Sequence, residues 1–404
     1  MSRILLLLAA ICAASWAAAQ DLGGRALFES GRLEDDGWGD GTELSLTLSQ
    51  GVPWRAFTLT DPARLIVDFR EVDWTGADPE AMDRSDSVTE LRVGGFRSGW
   101  SRLVAVLGQP MVIEQAGMRV ADGSGRAELA LRLVPASAGE MAAASGTPRD
   151  PRWDLPVPDA TVAAPMRRAE GAPLRIVLDP GHGGIDPGAE RDGQSEAALM
   201  LAFARELRDV LRRAGYEVVL TRDDDVFVSL EGRVALAHDA RADLFVSLHA
   251  DAIEEGIAHG ATVYTLSDDA SDAASAALAE RHDRDDLLSG LDLSGSDDRV
   301  ADVLLDLARL DNTPRGVALA RHLVDGIRNA VGTVHKRPLR RAGFSVLKAA
   351  DIPSVLVEVG FLSTAADLDN LQDPIWRAGM AAGIHDGITD WALEDAALAR
   401  LRRQ

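Results

Sequence analysis

The stretch RIVLDPGHGGIDPGAERDGQSEAALM, Arg175 to Met200, decides the fold of the larger part of this chain. Arg175 to Leu178 form a short apolar run that reads as a strand. The run ends in Asp179 and Pro180, and glycines then flank His182. A polar loop follows, and Glu196 opens a helical pattern for which Ser195 is a good N-cap. A strand that ends near a histidine, followed by a helix that starts with a carboxylate, places both groups beyond the carboxyl end of a sheet strand. That is where open α/β sheets gather their sites.

Working outward, the alternation continues from 174 to 398. The segment SEAALMLAFARELRDVLRRAG is an amphipathic helix that stops at Gly215. YEVVLT, DLFVSLHAD, ATVYTLS, FSVLKA and SVLVEVGFL read as strands. SLEGRVALAHDARA reads as a helix opened by Ser229, and TPRGVALARHLVDGIRNAV as one capped by Thr313 with Pro314 at its first position. A last helix starts near Pro374. Strands alternating with helices predict an α/β domain with a mixed, largely parallel sheet flanked by helices.

Residues 22–135 have a different character. ELSLTLSQ, WRAFTLT, RLIVDFR, SRLVAVLG and RAELALRLVP alternate apolar and polar residues, with Gly, Asp and Pro between them. This predicts a small all-β sandwich in front of the α/β domain. Residues 136–173 are rich in Ala, Pro, Ser and Gly and read as a flexible linker. Residues 1–19 carry Arg3, the apolar run Ile4 to Ile11 and the small residues Ala17 and Ala19, the pattern of a secretory signal peptide. Its removal takes away Cys12, the only cysteine, so the mature protein has neither a disulfide nor a thiolate ligand. An exported chain without thiols suits the bacterial periplasm.

The chain has 404 residues, is 46% hydrophobic and carries a formal net charge of -22. That balance fits a folded protein and argues against nucleic acid as a partner, since binding its backbone needs clustered Lys and Arg. No stretch after the leader is long and apolar enough for a transmembrane helix.

Chemistry-bearing side chains recur at strand ends. His182 follows the first strand of the α/β domain, His249 ends LFVSLH with Asp251 two residues on, and Glu358 interrupts SVLVEVGFL. Two imidazoles and one carboxylate are a common catalytic zinc set, with one position left open. A further carboxylate is then needed to move the proton. Glu358 is the candidate, because a carboxylate among Val and Leu is costly unless it serves something. Each residue also has a plainer reading: a hydrogen-bonding histidine, a turn glycine, an edge glutamate. Their coincidence at several strand ends favours the site. His238, His259, His322, His335 and His385 lie on helices or loops and read mostly as surface or satisfied histidines.

IVLDPGHGGIDPGA, SEAALMLA, TRDDDVFVSLEGRVALAHDARADLFVSLHADA and AGFSVLKAADIPSVLVEVGFLS together resemble the zinc-dependent N-acetylmuramoyl-L-alanine amidases of the periplasmic cell-division type, over about 174–395. The resemblance implies one zinc ion per chain, held by His182, Glu196 and His249, with Glu358 catalytic. It implies cleavage of the amide between N-acetylmuramic acid and L-alanine in septal peptidoglycan. ARLIVDFR and LRVGGFRSGWSRLVAVLG resemble the AMIN module of such enzymes, which implies wall binding at the division site. Its plainer reading is a stabilising domain. Asp179 and Asp251 are expected to orient the ligand imidazoles from behind.

Between 268 and 306 the alternation breaks, with twelve Asp or Glu against three Arg. SDAASAALAERHDRDDLL can form a helix with an acidic face, which reads either as a solvated insertion or, by resemblance to regulated family members, as a plug over the zinc. Glu280 is the first candidate plug, with His282 and Asp283 behind it. The resemblance also implies a LytM-type activator protein as the releasing partner. The basic cluster HKRPLRR offers Arg337, Arg340 and Arg341 as candidate grips for stem-peptide carboxylates, or is an exposed loop. A monomeric, soluble chain is expected. The rivals are another zinc hydrolase, such as a carboxypeptidase, and a non-catalytic wall-binding scaffold.

Overall fold

A computed structural model describes residues 25–36, 41–97, 99–121, 123–148, 172–252, 259–289, 299–349 and 351–401. The leader expected over 1–19, most of the expected linker and residues 290–298 of the acidic insertion lie outside the described residues.

The front unit runs through β1 (Ala26–Asp35), β2 (Thr42–Leu48), β3 (Trp54–Leu59), β4 (Arg64–Arg70) and β5 (Val72–Asp73). After α1 (Pro79–Met82) come β6 (Asp83–Arg84), β7 (Val88–Arg97), β8 (Trp100–Leu107), β9 (Met111–Val120) and β10 (Ala127–Pro135). One sheet has the order β5-β1-β2-β10-β9, with β6 also on β1, and the other has the order β3-β4-β8-β7. Alternation builds the sandwich: Leu44, Leu46 and Leu48 of β2 are buried and meet Leu65, Val67 and Phe69 of β4 in one core. The segment expected to be linker does not begin at 136. Residues Ala138–Ala144 form α2, where Ser137 and Glu140 make a capping box and Met141 is buried in the sandwich core. One buried methionine and a capped first turn are enough to dock a segment whose composition reads as loop.

The second unit opens with β11 (Arg175–Pro180), a small hairpin of β12 (Glu190–Arg191) and β13 (Gln194–Ser195), and α3 (Glu196–Arg213). Then follow β14 (Glu217–Leu220), α4 (Leu230–Asp239), β15 (Leu244–His249), β16 (Ala261–Leu266) and α5 (Ala273–Leu288). The chain closes with α6 (Arg299–Val331), β17 (Val334–Ala342), β18 (Ser354–Glu358), α7 (Ala365–Gln372) and α8 (Pro374–Leu401). The sheet order is β14-β11-β15-β18-β16-β17. The pairs from β14 to β18 are parallel, β16 is antiparallel to β18, and β17 is parallel to β16. Both faces are covered. Ile176 and Leu178 of β11 pack with Phe203, Leu323 and Ile384, from α3, α6 and α8. Val177, between them, packs on the other face with Ala237 of α4 and Leu278 of α5. Sheets covered on both faces need such continuous apolar strands.

Three local expectations differ. FSVLKA is not a strand: Ser345–Leu347 form one 3₁₀ turn, and Phe344, Val346 and Leu347 fill the core beneath α4 and α5. HKRPLRR is not a loop: it lies in β17, an edge strand paired among the described residues only with β16, where Lys336, Arg337 and Arg341 keep their water. Thr313 and Pro314 do not open a helix, because α6 runs from Arg299 and carries Pro314 inside it. Among the described residues, no helix is long and apolar enough to cross a membrane.

Candidate metal centre

Four strand and helix ends meet at the carboxyl side of the central strands. His182 sits in the turn after β11, Glu196 begins α3, and His249 and Glu358 end β15 and β18 directly opposite each other in the ladder. Ser195 accepts a hydrogen bond from the Ala198 amide, which fixes where the helix starts and so where Glu196 points. The backbone of His182 is in the left-handed region, φ 57°, which a non-glycine residue adopts only when its surroundings hold it there. Gly181 is required by close approach: a Cβ there would lie 2.3 Å from His249 Cε1.

The Glu196 carboxylate lies between the two imidazoles. Its Oε1 is 3.0 Å from His249 Nδ1 and its Oε2 is 3.3 Å from His182 Nε2. Backbone amides of Ala250 and Ala189 donate to the same two oxygens at 2.9 and 3.0 Å. Asp186 holds the other side of the His182 ring, 2.8 Å from Nδ1, which leaves Nε2 facing inward. Burial opposes charge on His182, but Asp186 and Glu196 prevail and raise its pKa well above the usual value. Burial likewise opposes charge on Glu196, yet His182 and His249 hold its carboxyl well below the usual range. Burial and the neighbouring His282 push His249 down to about 4. Glu358 is fully buried and, among the described residues, accepts only from the Asp251 amide, at 3.0 Å. Burial, with Asp251 and Glu196 nearby, pushes its carboxyl well above the usual range.

A third imidazole completes the cluster. His282 of α5 stacks on His249 at 4.4 Å between ring centroids, and its Nε2 is 3.1 Å from Asp251 Oδ2. One ligand atom from each of His182, His249 and His282 lies within 4.8 Å of the others. Among the described residues, the buried Glu358 Oε1 has no hydrogen-bond partner, and His182 Nε2 faces only the Glu196 carboxylate at 3.3 Å. Buried polar atoms are normally satisfied. Three imidazoles, a carboxylate between two of them and an inward-facing His182 Nε2 are a donor set that fits a zinc ion.

The remaining candidates take other places. Asp179 does not bond an imidazole. It accepts from Thr221 Oγ1, Ser247 Oγ and Arg233 Nη1 at 2.5, 2.7 and 2.6 Å. Arg233 in turn donates to the His182 carbonyl at 2.9 Å, so Asp179 reaches the site through the backbone. The residue that orients the ring is Asp186, which the sequence reading passed over although it stands four residues after His182 in the same glycine-rich turn. Asp251 bonds His282 and, at 2.7 Å, Arg281. Of the plug candidates, Glu280 is exposed and Asp283 bonds Ser345 Oγ at 2.9 Å; only His282 enters the cluster. Arg337 and Arg340 line a cleft of about 630 Å³ with Arg321 and Arg328, and this cleft shares no lining residue with the histidine cluster. Arg340 is committed to α5, 3.1 Å from Asp272 Oδ2 and 3.2 Å from Ser275 Oγ. Arg341 is exposed, and its amide bonds Ser271 Oγ at 2.9 Å.

Fold and site together define a two-unit protein: an all-β front, and a covered α/β sheet with a buried His–Glu–His centre at its strand ends. Residues 176–390 match the N-acetylmuramoyl-L-alanine amidase family, and residues 32–127 match the AMIN domain. The chain is 32% identical to N-acetylmuramoyl-L-alanine amidase AmiC of Escherichia coli, over 89% of this chain and 88% of that protein. It is 32% identical to the AmiC amidase of Neisseria meningitidis over 86% of each chain. It is 38% identical to AmiA of Escherichia coli over 56% of this chain and 79% of that protein. The chain belongs to the N-acetylmuramoyl-L-alanine amidase family and carries an AMIN domain in front of its amidase domain.

Proposed function

We propose that this protein hydrolyses the amide between the lactyl group of N-acetylmuramic acid and L-alanine in peptidoglycan, and that α5 keeps the centre closed until a partner draws it away. The observation that carries the reading is the buried cluster of His182, His249 and His282, with Glu196 between the first two and Glu358 Oε1 without a hydrogen-bond partner among the described residues. His182, Glu196 and His249 would hold one zinc ion, and His282 would take the remaining position in the closed state. Zinc bound there supplies a Lewis acid toward the amide carbonyl and makes water more acidic.

The chain's own residues do the rest. Asp186 fixes the His182 ring with Nε2 inward, and the Ala189 and Ala250 amides fix Glu196. Glu358 Oε1 takes the proton from the attacking water and passes it to the leaving nitrogen of L-alanine. A carboxyl whose pKa is raised by burial is suited to both halves of that transfer. The AMIN domain would bind wall polymer, and the expected setting is the periplasm at the division site, with septal peptidoglycan as substrate and a LytM-type protein as activator. The sequence similarity to named amidases over most of the chain supports the amidase reading on which this setting depends.

The test is product analysis on purified peptidoglycan with the wild type, the Glu358→Gln variant and a variant opened by His282→Ala. The expected products are glycan strands with free muramyl lactyl groups and intact stem peptides. The expected Glu358→Gln result is bound zinc with turnover reduced at least ~10²-fold, the low end for loss of an acid–base group. Release of single amino acids would favour a carboxypeptidase. Full activity in the Glu358→Gln variant would remove the mechanism.

A further inference from the structure

The front sandwich reaches the metal centre, and nothing in the amidase reaction requires it to. Its β3-β4-β8-β7 sheet has two apolar faces. One lines the sandwich core. The other, with Phe57, Leu59, Ile66, Phe96 and Val104, closes over Ile185 and Phe227 of the amidase unit. Phe96 stacks on Phe227 with centroids 5.9 Å apart. The approach is backbone against backbone. The Ile185 amide donates to the Gly95 carbonyl at 3.0 Å, and a Cβ on Gly94 would lie 2.6 Å from the Gly184 carbonyl oxygen. Gly184 is two residues beyond His182.

Two arginines of the same sheet then meet α5. Arg102 is buried, pairs with Asp68 at 2.6 Å, and donates to the Ser289 carbonyl just past the end of α5 at 3.1 Å. Arg92 of β7 stands among three carboxylates: its Nε is 2.5 Å from Glu90 Oε1 on its own strand, and the other two belong to the amidase unit. Its Nη2 is 2.9 Å from Asp285 Oδ1, on α5 three residues after His282. Its Nη1 is 3.9 Å from Asp186 Oδ1, on the carboxylate that orients the His182 ring. The side chains of Arg92, Asp285 and Asp186 are between 8% and 13% exposed, so water screens them little. Without the guanidinium, Asp285 would be a mostly buried carboxylate that has lost its ion-pair partner, and Asp186, close enough to raise the Asp285 pKa, would keep His182, 2.8 Å away, as its own partner. Asp285 already has its carboxyl pushed up by burial and by Asp186, against the pull of Arg92.

We propose that the front sandwich is the latch of the plug: Arg92 locks α5 shut by bridging Asp285 to Asp186, so opening the centre is coupled to parting the front domain from α5. Arg92 is a positioning residue, acting through Asp186 and Asp285. This inference rests on the reading of His282 as the plug. Any ligand that draws the outer face of the β3-β4-β8-β7 sheet away from Ile185 and Phe227 also withdraws the cation that holds α5. Binding through the front domain then shifts the population of the open state.

The test uses the full-length zinc-loaded protein and reads two quantities: the rate at which a chromogenic chelator extracts zinc, and dye release from labelled peptidoglycan. The variants are Arg92→Gln, Arg92→Gln with Asp285→Asn, and His282→Ala. Arg92→Gln leaves Asp285 unneutralised beside Asp186, which keeps its His182 partner, and both rates are expected to rise about tenfold or more, the low end for desolvated charge pairs between surfaces. Adding Asp285→Asn removes the repulsion and is expected to restore slow extraction, which a mere loss of packing would not do. If Arg92→Gln misfolds, the double variant, in which position 285 is neutral and Asp186 keeps its His182 partner, still reports through its extraction rate; extraction as fast as from His282→Ala would overturn the latch. If His282→Ala accelerates both rates and Arg92→Gln neither, the latch is wrong and the plug stands. If His282→Ala changes neither rate, the plug reading itself falls.

Discussion

The buried pair of Asp179 and Arg233 supports the metal centre from behind, and Asp179→Asn isolates its charge. Asp179 is 0% exposed and Arg233 3%. Asparagine is nearly the same shape and can still accept from Arg233, so the change removes charge rather than volume. It leaves the Arg233 guanidinium buried without a counter-charge, and breaking a buried pair from one side costs about 3–5 kcal/mol. Arg233 also donates to the Pro180 and His182 carbonyls at 2.9 Å each, so the displaced guanidinium loosens the turn that carries His182. At 2–4 °C per kcal/mol for a unit of this size, the melting temperature of the amidase unit is expected to fall by roughly 6–20 °C. The sign with pH follows from the carboxyl: burial opposes its charge, Arg233 and two hydroxyls overcome that, and the folded value lies below 3.8. The stabilisation is therefore complete above about pH 4 and is lost as pH falls through the lower folded value. The assay is thermal unfolding at pH 7 and pH 3, with zinc content measured after gel filtration. A fall of less than about 2 °C at pH 7, with full zinc, would refute the argument that this pair holds the centre.

Two further outcomes follow from the geometry. Gly181→Ala puts a methyl group where the His249 ring lies, 2.3 Å from Cε1, so zinc affinity is expected to drop ~10- to 100-fold in a chain that still folds; unchanged affinity by competition with a chelator would contradict the close approach. Asp286 of α5 accepts from the Leu230 amide at 3.0 Å, and burial and Glu231, with Asp186 further off, push its carboxyl up to about 7 against the pull of Leu230 and Arg233. Its folded value lies above the unfolded 3.8, so its contribution to docking α5 is full below about pH 4 and is lost as pH rises through about 7. Zinc extraction is expected to speed up between pH 5 and pH 8 in the wild type and to vary less in Asp286→Asn; equal slopes would show that Asp286 does not weaken the docking.

The sequence by itself determined the parts that local chemistry dictates. Alternation set the strands of the front unit, and continuous apolar runs set β11, β15 and β18 with covered faces. Ser195 and the glycine-lined turn put Glu196 and His182 beyond those strands, whereas the register that sets His249 opposite Glu358 came only with the folded sheet. The edge strand HKRPLRR and the 3₁₀ turn at Ser345–Leu347 were not legible, because composition reports burial poorly where a strand has only one neighbour or an apolar run packs as a turn.

The tertiary structure alone decided which residue of the acidic insertion meets the cluster. Glu280 and His282 are two positions apart on α5, roughly 200° around a helix of 3.6 residues per turn, so only one of them faces the site. The weakly patterned sequence of α5 does not say which face docks, and the buried contacts of Leu278, Ala279 and His282 do. The same holds for Asp186 and Arg92. Each is an ordinary charged side chain in sequence. Their roles come from a carboxylate four residues from its histidine in a folded turn, and from a guanidinium brought to it across a domain boundary. Charge interactions in a dry interface depend on distance and burial, and only the packed chain supplies either.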